Sequence, residues 1–315
     1  MTCRCAPAAA GLQSAPGGGP PPGGASDALR QAVLATLRPV PGGFAEMGAA
    51  RSRYADDRDS PRRRIRLDPF MIGATTVTNG LFARFVQESG HRTTAEREGW
   101  SYVFHLHLKN PGGYAHPPGT PWWRQVPGAD WAHPEGPGSN VEDRAGHPAV
   151  HLSWDDAAAF AGFTGTVLPT EAQWEHAARG GLRRMRFPWG NEMAPGGVHR
   201  HNTWQGRFPM ENSAEDGHAG TAPAESYQPN GHGLFNMTGN VWEWVADWFG
   251  DLPPARIPPL SNPTGPDRGE ARVIRGGSHL CCASYCERYF VHSRSRNTPG
   301  STTGHMGFRL ALPQP

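Results

Sequence analysis

Cysteine is scarce in this 315-residue chain: there are five, with Cys3 and Cys5 at the extreme N-terminus and Cys281, Cys282 and Cys286 within six residues near the other end. So few and so uneven a set excludes a disulfide framework spread through the fold. An excess of charge of one sign is lacking as well. With 30 basic and 28 acidic side chains the formal net charge is +2, which leaves no electrostatic footprint for nucleic acid or an anionic membrane. Long apolar runs are also missing. None approaches the ~20 residues of a membrane span, and nothing near residue 1 offers the apolar core of about 7–15 residues that marks a secretory signal. The expectation is a soluble cytoplasmic protein, with neither nucleic acid nor membrane as partner.

What the chain does have is 41 glycines, 32 prolines and 11 tryptophans. That mixture suits a core anchored by large rings beneath long irregular loops, with sparse regular secondary structure. Residues 1 to about 26 are of different material, rich in Ala, Gly and Pro around Gly17-Gly18-Gly19-Pro20-Pro21-Pro22. Such a segment cannot bury enough apolar surface to offset its ordering entropy. A disordered tail is assigned to residues 1–35 and a single domain to 36–315. Within the tail, Cys3 and Cys5 read as incidental thiols.

Local patterns place a few elements. Phe44 to Gly48 and Arg63 to Leu67 alternate as short strands do, and antiparallel pairing is expected. From Thr78 as N-cap, Leu81, Phe82, Phe85 and Val86 share one helical face that ends before Gly90. Ser153 with Asp156 starts a second helix, and Thr170 with Gln173 forms a capping box for a third that ends near Gly180-Gly181. The class is therefore α+β. His105 and His107 flank Leu106 and would share one face of a strand as a metal-ligand pair. Without a carboxylate in the same pattern, ordinary polar strand positions are the better reading.

The cysteine cluster carries the chemistry. A structural zinc site wants four ligands in paired elements, and no second pair stands at such spacing in the folded region. Two thiolates with no further protein ligand suit Cu(I), a soft ion that prefers sulfur. A Cys281–Cys286 disulfide stands beside that reading, as do inert buried thiols.

Beyond the cluster, a series of motifs runs in order. It includes His147-Pro148, Leu168-Pro169-Thr170-Glu171-Ala172-Gln173-Trp174-Glu175, Phe187-Pro188-Trp189-Gly190-Asn191, Asn202-Thr203-Trp204-Gln205-Gly206 and Gly239-Asn240-Val241-Trp242-Glu243-Trp244. The series closes with Gly276-Gly277-Ser278, Cys281, Ser284-Tyr285-Cys286, Arg288-Tyr289, Arg294-Ser295, Asn297-Thr298-Pro299 and Gly307-Phe308-Arg309. Over roughly residues 40 to 312 the chain resembles the formylglycine-generating enzymes, whose fold is a relative of the C-type lectins. The related iron-dependent sulfoxide synthases carry an H-x₃-H-x-E motif, and this chain has none.

The resemblance implies oxidation by O₂ of a cysteine in a Cys-x-Pro-x-Arg segment of an unfolded sulfatase to Cα-formylglycine, by a monomer. It implies Cys281 and Cys286 as Cu(I) ligands and Ser278, Tyr285, Trp242 and Arg294 as further catalytic residues. Arg288 and Arg294 fit equally well as structural forks on carboxylates. Two structural Ca²⁺ ions are also implied, and oxygen donors on loops suit them. The first would take Asn202 and Asp216 by side chain with Thr203 and His218 by carbonyl, His218 standing where the family has an aromatic residue. The second would take Asn236 and Glu243 by side chain with Gly239 and Val241 by carbonyl. Cys282 departs from the family pattern. A non-catalytic binding module of the same fold and a metal-free thiol oxidoreductase remain as rivals.

Overall fold

The structure, a computed structural model, describes Pro7 and residues 23–313. Helix α1 (Asp27–Ala35) begins at Ser26, whose Oγ accepts from the Leu29 N–H at 3.1 Å. Leu29 and Val33, four apart, share one face and are fully buried, and that stripe docks α1 on the two long helices of the domain. This corrects the 1–35 tail: residues 27–35 belong to the folded domain, because two well-placed apolar residues suffice to seat a three-turn helix. The rest of the assigned tail, residues 1–22 apart from Pro7, lies outside the described residues.

Strands β1 (Leu37–Val40), β2 (Gly43–Met47) and β3 (Arg63–Leu67) follow, and β2 and β3 pair antiparallel with Ala45 opposite Ile65, as their alternation requires. After β4 (Phe70–Gly73), α2 (Asn79–Ser89) is capped by Thr78 and stopped by Gly90 at φ +65°. A short α3 (Thr94–Glu98) leads to the hairpin of β5 (Trp100–Phe104) and β6 (Trp123–Pro127). Helices α4 (Trp154–Thr164) and α5 (Glu171–Ala178) open on the reciprocal capping boxes of Ser153 with Asp156 and Thr170 with Gln173. His105 and His107 do not lie on a strand. They form a 3-10 turn just past β5, and each ring bonds a different carbonyl, Pro209 at 2.9 Å and Ala219 at 3.4 Å.

No strand or α-helix lies between Ala178 and Trp242. Then come β7 (Trp242–Trp248), β8 (Leu260–Ser261), β9 (Arg272–Arg275), β10 (Arg294–Asn297), β11 (Met306–Phe308) and β12 (Ala311–Pro313). Four of them form the sheet that positions the site, in the order β10-β9-β7-β11. Because β7 and β9 are antiparallel with Glu243 opposite Arg275, the start of one strand meets the end of the other. The chain therefore leaves β9 at Gly276 directly beside Trp242.

A buried ion network fixes that end of the sheet to α5. Arg275 reaches Glu171 at 3.0 Å and Glu175 at 2.7 Å, and Arg294 grips both oxygens of Glu171 at 2.7 and 2.5 Å. Each charge has a partner, which burial demands, since removing one member of such a pair typically costs about 3–5 kcal/mol. The observed class is α+β with few helices, as expected.

Candidate active site

The loop that leaves β9 begins with two glycines, and the second needs to be one. Gly277 sits at φ +74°, and a Cβ there would meet the Arg288 carbonyl at 2.9 Å and the Tyr289 Cα at 3.1 Å. Past this tight point a turn forms, in which the Cys281 N–H bonds the Ser278 carbonyl at 2.9 Å and the Ser278 N–H points back at Cys281 Sγ at 3.4 Å. The Ser278 hydroxyl oxygen accepts from the Leu280 amide at 3.2 Å. The serine thus shapes the cysteine turn chiefly through its backbone. A second tie holds the loop from behind: the amide and Nδ1 of His279 both donate to the Asn240 carbonyl at 2.9 Å. Burial and the stacked ring of His107 push His279 down to about 3, so it is neutral.

Cys281 and Cys286 come together. Both are buried in the main apolar core, and the Cys281 S–H donates to Cys286 Sγ at 3.4 Å. That separation is far beyond the ~2.05 Å of an S–S bond. Cys281 and Cys282 are thiols, whereas Cys286 is half of a disulfide. The bond considered between Cys281 and Cys286 is therefore not the one made. Cys282 faces the other way, into a separate cluster with Phe104, Trp123, Trp204 and Leu280, and its sulfur lies 3.3 Å from Ser284 Oγ.

Over the sulfur pair lies a crevice walled by rings. Trp122 and Trp123 come from the start of β6, Phe208 from the long loop, Trp242 from β7, and Tyr285 from the cysteine loop itself. Tyr285 stacks on Phe208 with centroids 4.3 Å apart and meets Trp122 edge-on at 5.1 Å. Tyr285 and Trp242, both named from the sequence, line this crevice. The Trp122-Trp123 and Phe208 contributions were not foreseen, because a strand end and a loop residue offer too little periodicity to betray their direction. The indole N–H of Trp242 is buried without a partner, an unspent donor at the crevice.

Arg294 is not part of this wall. Besides Glu171 it bonds the carbonyls of Gly250 at 2.8 Å and Arg58 at 3.2 Å, so of its two readings the structural fork is the one realised. Arg288 likewise forks onto Asp57 at 2.7 and 2.8 Å.

The oxygen ligands divide. Asn202 Oδ1 and Asn236 Oδ1 are both buried with no hydrogen-bond partner, the state of a carbonyl oxygen suited to a hard cation. Asp216 accepts from the amides of Thr203 at 2.9 Å and His218 at 3.0 Å, the second of which makes an Asx turn. Gly239, at φ +78°, packs so closely that a Cβ would lie 2.4 Å from the Asn202 carbonyl, tying the two loops together. Glu243 has protein partners as well: its carboxylate accepts from Arg309 Nε and Nη2 at 2.6 Å each and from Trp174 Nε1 at 2.7 Å. Among the described residues, no three His, Cys, Asp or Glu side chains converge as a metal cluster. No helix among them is long and apolar enough to cross a membrane.

Residues 26–313 match the model of the sulfatase-modifying factor enzyme 1-like domain. A formylglycine-generating enzyme of Thermomonospora curvata is 50% identical over 290 residues, which cover 89% of this chain and 94% of that protein. One of Streptomyces coelicolor is 53% identical over 275 residues, covering 86% and 87%. The solved structure of PvdO from Pseudomonas aeruginosa shares the fold, with a TM-score of 0.61 at 22% identity over 88% of this chain and 94% of that one. On a match that spans the whole described domain, the chain belongs to the sulfatase-modifying factor enzyme 1-like family.

Proposed function

We propose that this chain oxidises a cysteine of a sulfatase polypeptide to Cα-formylglycine, taking O₂ as oxidant and reading a Cys-x-Pro-x-Arg segment. The observation that carries the proposal is the pair of buried sulfurs, Cys281 and Cys286, 3.4 Å apart beneath an aromatic crevice. The names of the T. curvata and S. coelicolor relatives support it. The balance is one cysteine, O₂, two protons and two electrons from a thiol reductant, giving the aldehyde, sulfide and water.

With Cys286 reduced, the two thiolates form the donor set that a soft ion such as Cu(I) prefers. Held there, copper would supply the one-electron chemistry that O₂ needs. The chain's own residues do the rest. Trp122, Phe208 and Tyr285 exclude water and press the substrate backbone into one orientation, so that a single Cβ–H bond of its cysteine is presented. The Trp242 indole N–H offers a fixed donor to charge that develops on oxygen. Ser278 and His279 hold the cysteine turn in place. Loss of hydrogen from Cβ yields a thioaldehyde, which water converts to the aldehyde. Two structural calcium ions would draw on Asn202 and Asn236 away from this chemistry.

The test is a Cys-x-Pro-x-Arg peptide incubated with enzyme, Cu(I), reductant and air. Aldehyde formation is read by mass and by capture with a hydrazide. A peptide left intact sinks the oxidase and favours the binding module. The alternative is a metal-free thiol oxidoreductase that cycles a Cys281–Cys286 disulfide. That reading requires turnover without O₂ when another oxidant is supplied, so an anaerobic arm separates the two.

A further inference from the structure

The loop between β2 and β3 carries charge that the proposed chemistry does not use. Over residues 51–60 the two signs cancel, with Arg51, Arg53 and Arg58 against Asp56, Asp57 and Asp59. The fold sorts them. Asp57 turns inward to take both arms of the Arg288 fork at 2.7 and 2.8 Å, and Asp59 is buried with His292 Nε2 at 3.9 Å. Between these two acids Arg58 stands at φ +51°, in a left-handed backbone, and its side chain is exposed. Arg51, Arg53 and Arg58, joined by Arg63 from the start of β3, are left lining one cavity of about 690 Å³, to which the link between β7 and β8 adds Asp251 and Leu252. That lining holds four guanidinium groups and one carboxylate.

We infer that this cavity binds an organic polyanion, a small molecule that bears two or more phosphate or sulfate groups. Its volume lies within the range of about 300–1,000 Å³ usual for small-molecule sites and is far larger than one tetrahedral oxyanion needs. The charge sets the valence. Arg58 meets Asp251 at 3.4 Å in a pair that is largely in solvent, and Arg53 pairs with Glu287. Arg63 donates from Nε to the Pro253 carbonyl at 3.0 Å, and neither it nor Arg51 has an ion-pair partner among the described residues. A guanidinium presents two parallel N–H groups that match the oxygens of phosphate or sulfate, so unpaired arginines around one space favour such groups over a lone cation-seeking carbonyl. The apolar members of the lining, Ala50, Ala55, Pro61 and Leu252, offer a seat for the carbon skeleton that joins the anionic groups. The site stands next to the reactive loop without belonging to it, since Glu287, the partner of Arg53, is the neighbour of Cys286. Its occupation needs neither copper nor a client, so it stands or falls apart from the oxidase reading.

The experiment titrates the full chain by calorimetry with ADP, a disulfated disaccharide, inorganic phosphate, inorganic sulfate and hexaglutamate. ADP, the disaccharide or both should bind one per chain, at least about tenfold more tightly than either inorganic ion, because two anionic groups are then held instead of one. The tighter of the two tells phosphate from sulfate as the source. Arg51→Gln and Arg63→Gln should each weaken that binding by about tenfold, and added salt should weaken it further by screening. Free Arg51→Gln should melt within about a degree of wild type, as an exposed substitution does. Arg58→Gly, which suits the left-handed turn, should lose affinity while melting no earlier than wild type, a combination that a merely structural arginine would not give. No saturable binding, affinities no better than those of the inorganic ions, or equal affinities in wild type and Arg51→Gln would overturn the site. Hexaglutamate bound more tightly than ADP and the disaccharide would overturn it in favour of an acidic polypeptide.

Discussion

Arg309 clasps Glu243 through two nitrogens at 2.6 Å each, and both residues are fully buried. The pair lies immediately behind the crevice, since Glu243 follows Trp242 and its other hydrogen bond comes from Trp174. Glu243→Gln should leave Arg309 charged and half-partnered, at a cost of about 3–5 kcal/mol. At about 2–4 °C per kcal/mol for a domain of this size, calorimetry should find Tm lower by on the order of 10 °C. The kcat of the folded fraction should hold. A Tm within a degree of wild type would remove the pair from the stabilising frame.

Calcium should act elsewhere. Binding to the native state alone stabilises by about 2.7 kcal/mol when free ion stands roughly a hundredfold above its dissociation constant. Wild type should therefore melt later in calcium than in chelator. Asn202→Ala and Asn236→Ala should each blunt that difference, because each deletes an orphaned oxygen, while Glu243→Gln should keep it. Melting curves that ignore both calcium and chelator would leave these asparagines as turn residues only.

For the sulfur pair, Cys281→Ser or Cys286→Ser should abolish peptide oxidation, because an alcohol at neutral pH is a poor donor to a soft ion. Cys282→Ser should leave kcat near the wild-type value, its sulfur lying in a different cluster. Bound copper measured by metal analysis should follow the same order. Full activity in either of the first two variants would end the assignment.

A pH test follows from Asp247. Burial, then the neighbouring Glu171, raise it to about 7, above the ordinary carboxylate value of about 3.9. The folded chain keeps a proton that the unfolded chain gives up, so this contribution to stability is present at acid pH and lost as pH rises through about 7. Asp247→Asn keeps an acceptor for the Glu171 amide, now at 2.7 Å. The decline in Tm between about pH 4 and 7 should be shallower in the variant by several degrees. Parallel curves for the two proteins would refute the shift.

Where local chemistry decides structure, the sequence was readable. Thr78, Ser153 and Thr170 cap their helices as expected because each cap is a contact three residues long, and the β2–β3 pairing follows from a period of two. Helix α1 was hidden because only Leu29 and Val33 mark its buried face. The meeting of Cys281 with Cys286 was legible from spacing, but the wall of Trp122, Trp123 and Phe208 was not. Trp123 opens a strand while Trp122 and Phe208 lie in loops, and the contacts that bring Trp122 and Phe208 to Tyr285 join distant parts of the chain. The fate of Glu243 was equally hidden, since only the fold reveals that Arg309 lies within reach.

Cys281 and Cys282 are chain neighbours whose side chains settle in different apolar clusters. Sulfur chemistry at the site is thereby made a matter of counting residues. A one-residue deletion between Ser278 and Cys281 would carry the Cys282 thiol to the place that faces Cys286, whereas a one-residue insertion would drive the Cys281 thiol under Trp123 and Trp204. The same sorting separates two kinds of oxidative injury. A sulfenic acid at Cys282 would swell beneath the tryptophans and loosen the grip on a polypeptide while the reactive pair stayed whole, whereas the same lesion at Cys281 would silence the chemistry and leave the grip intact.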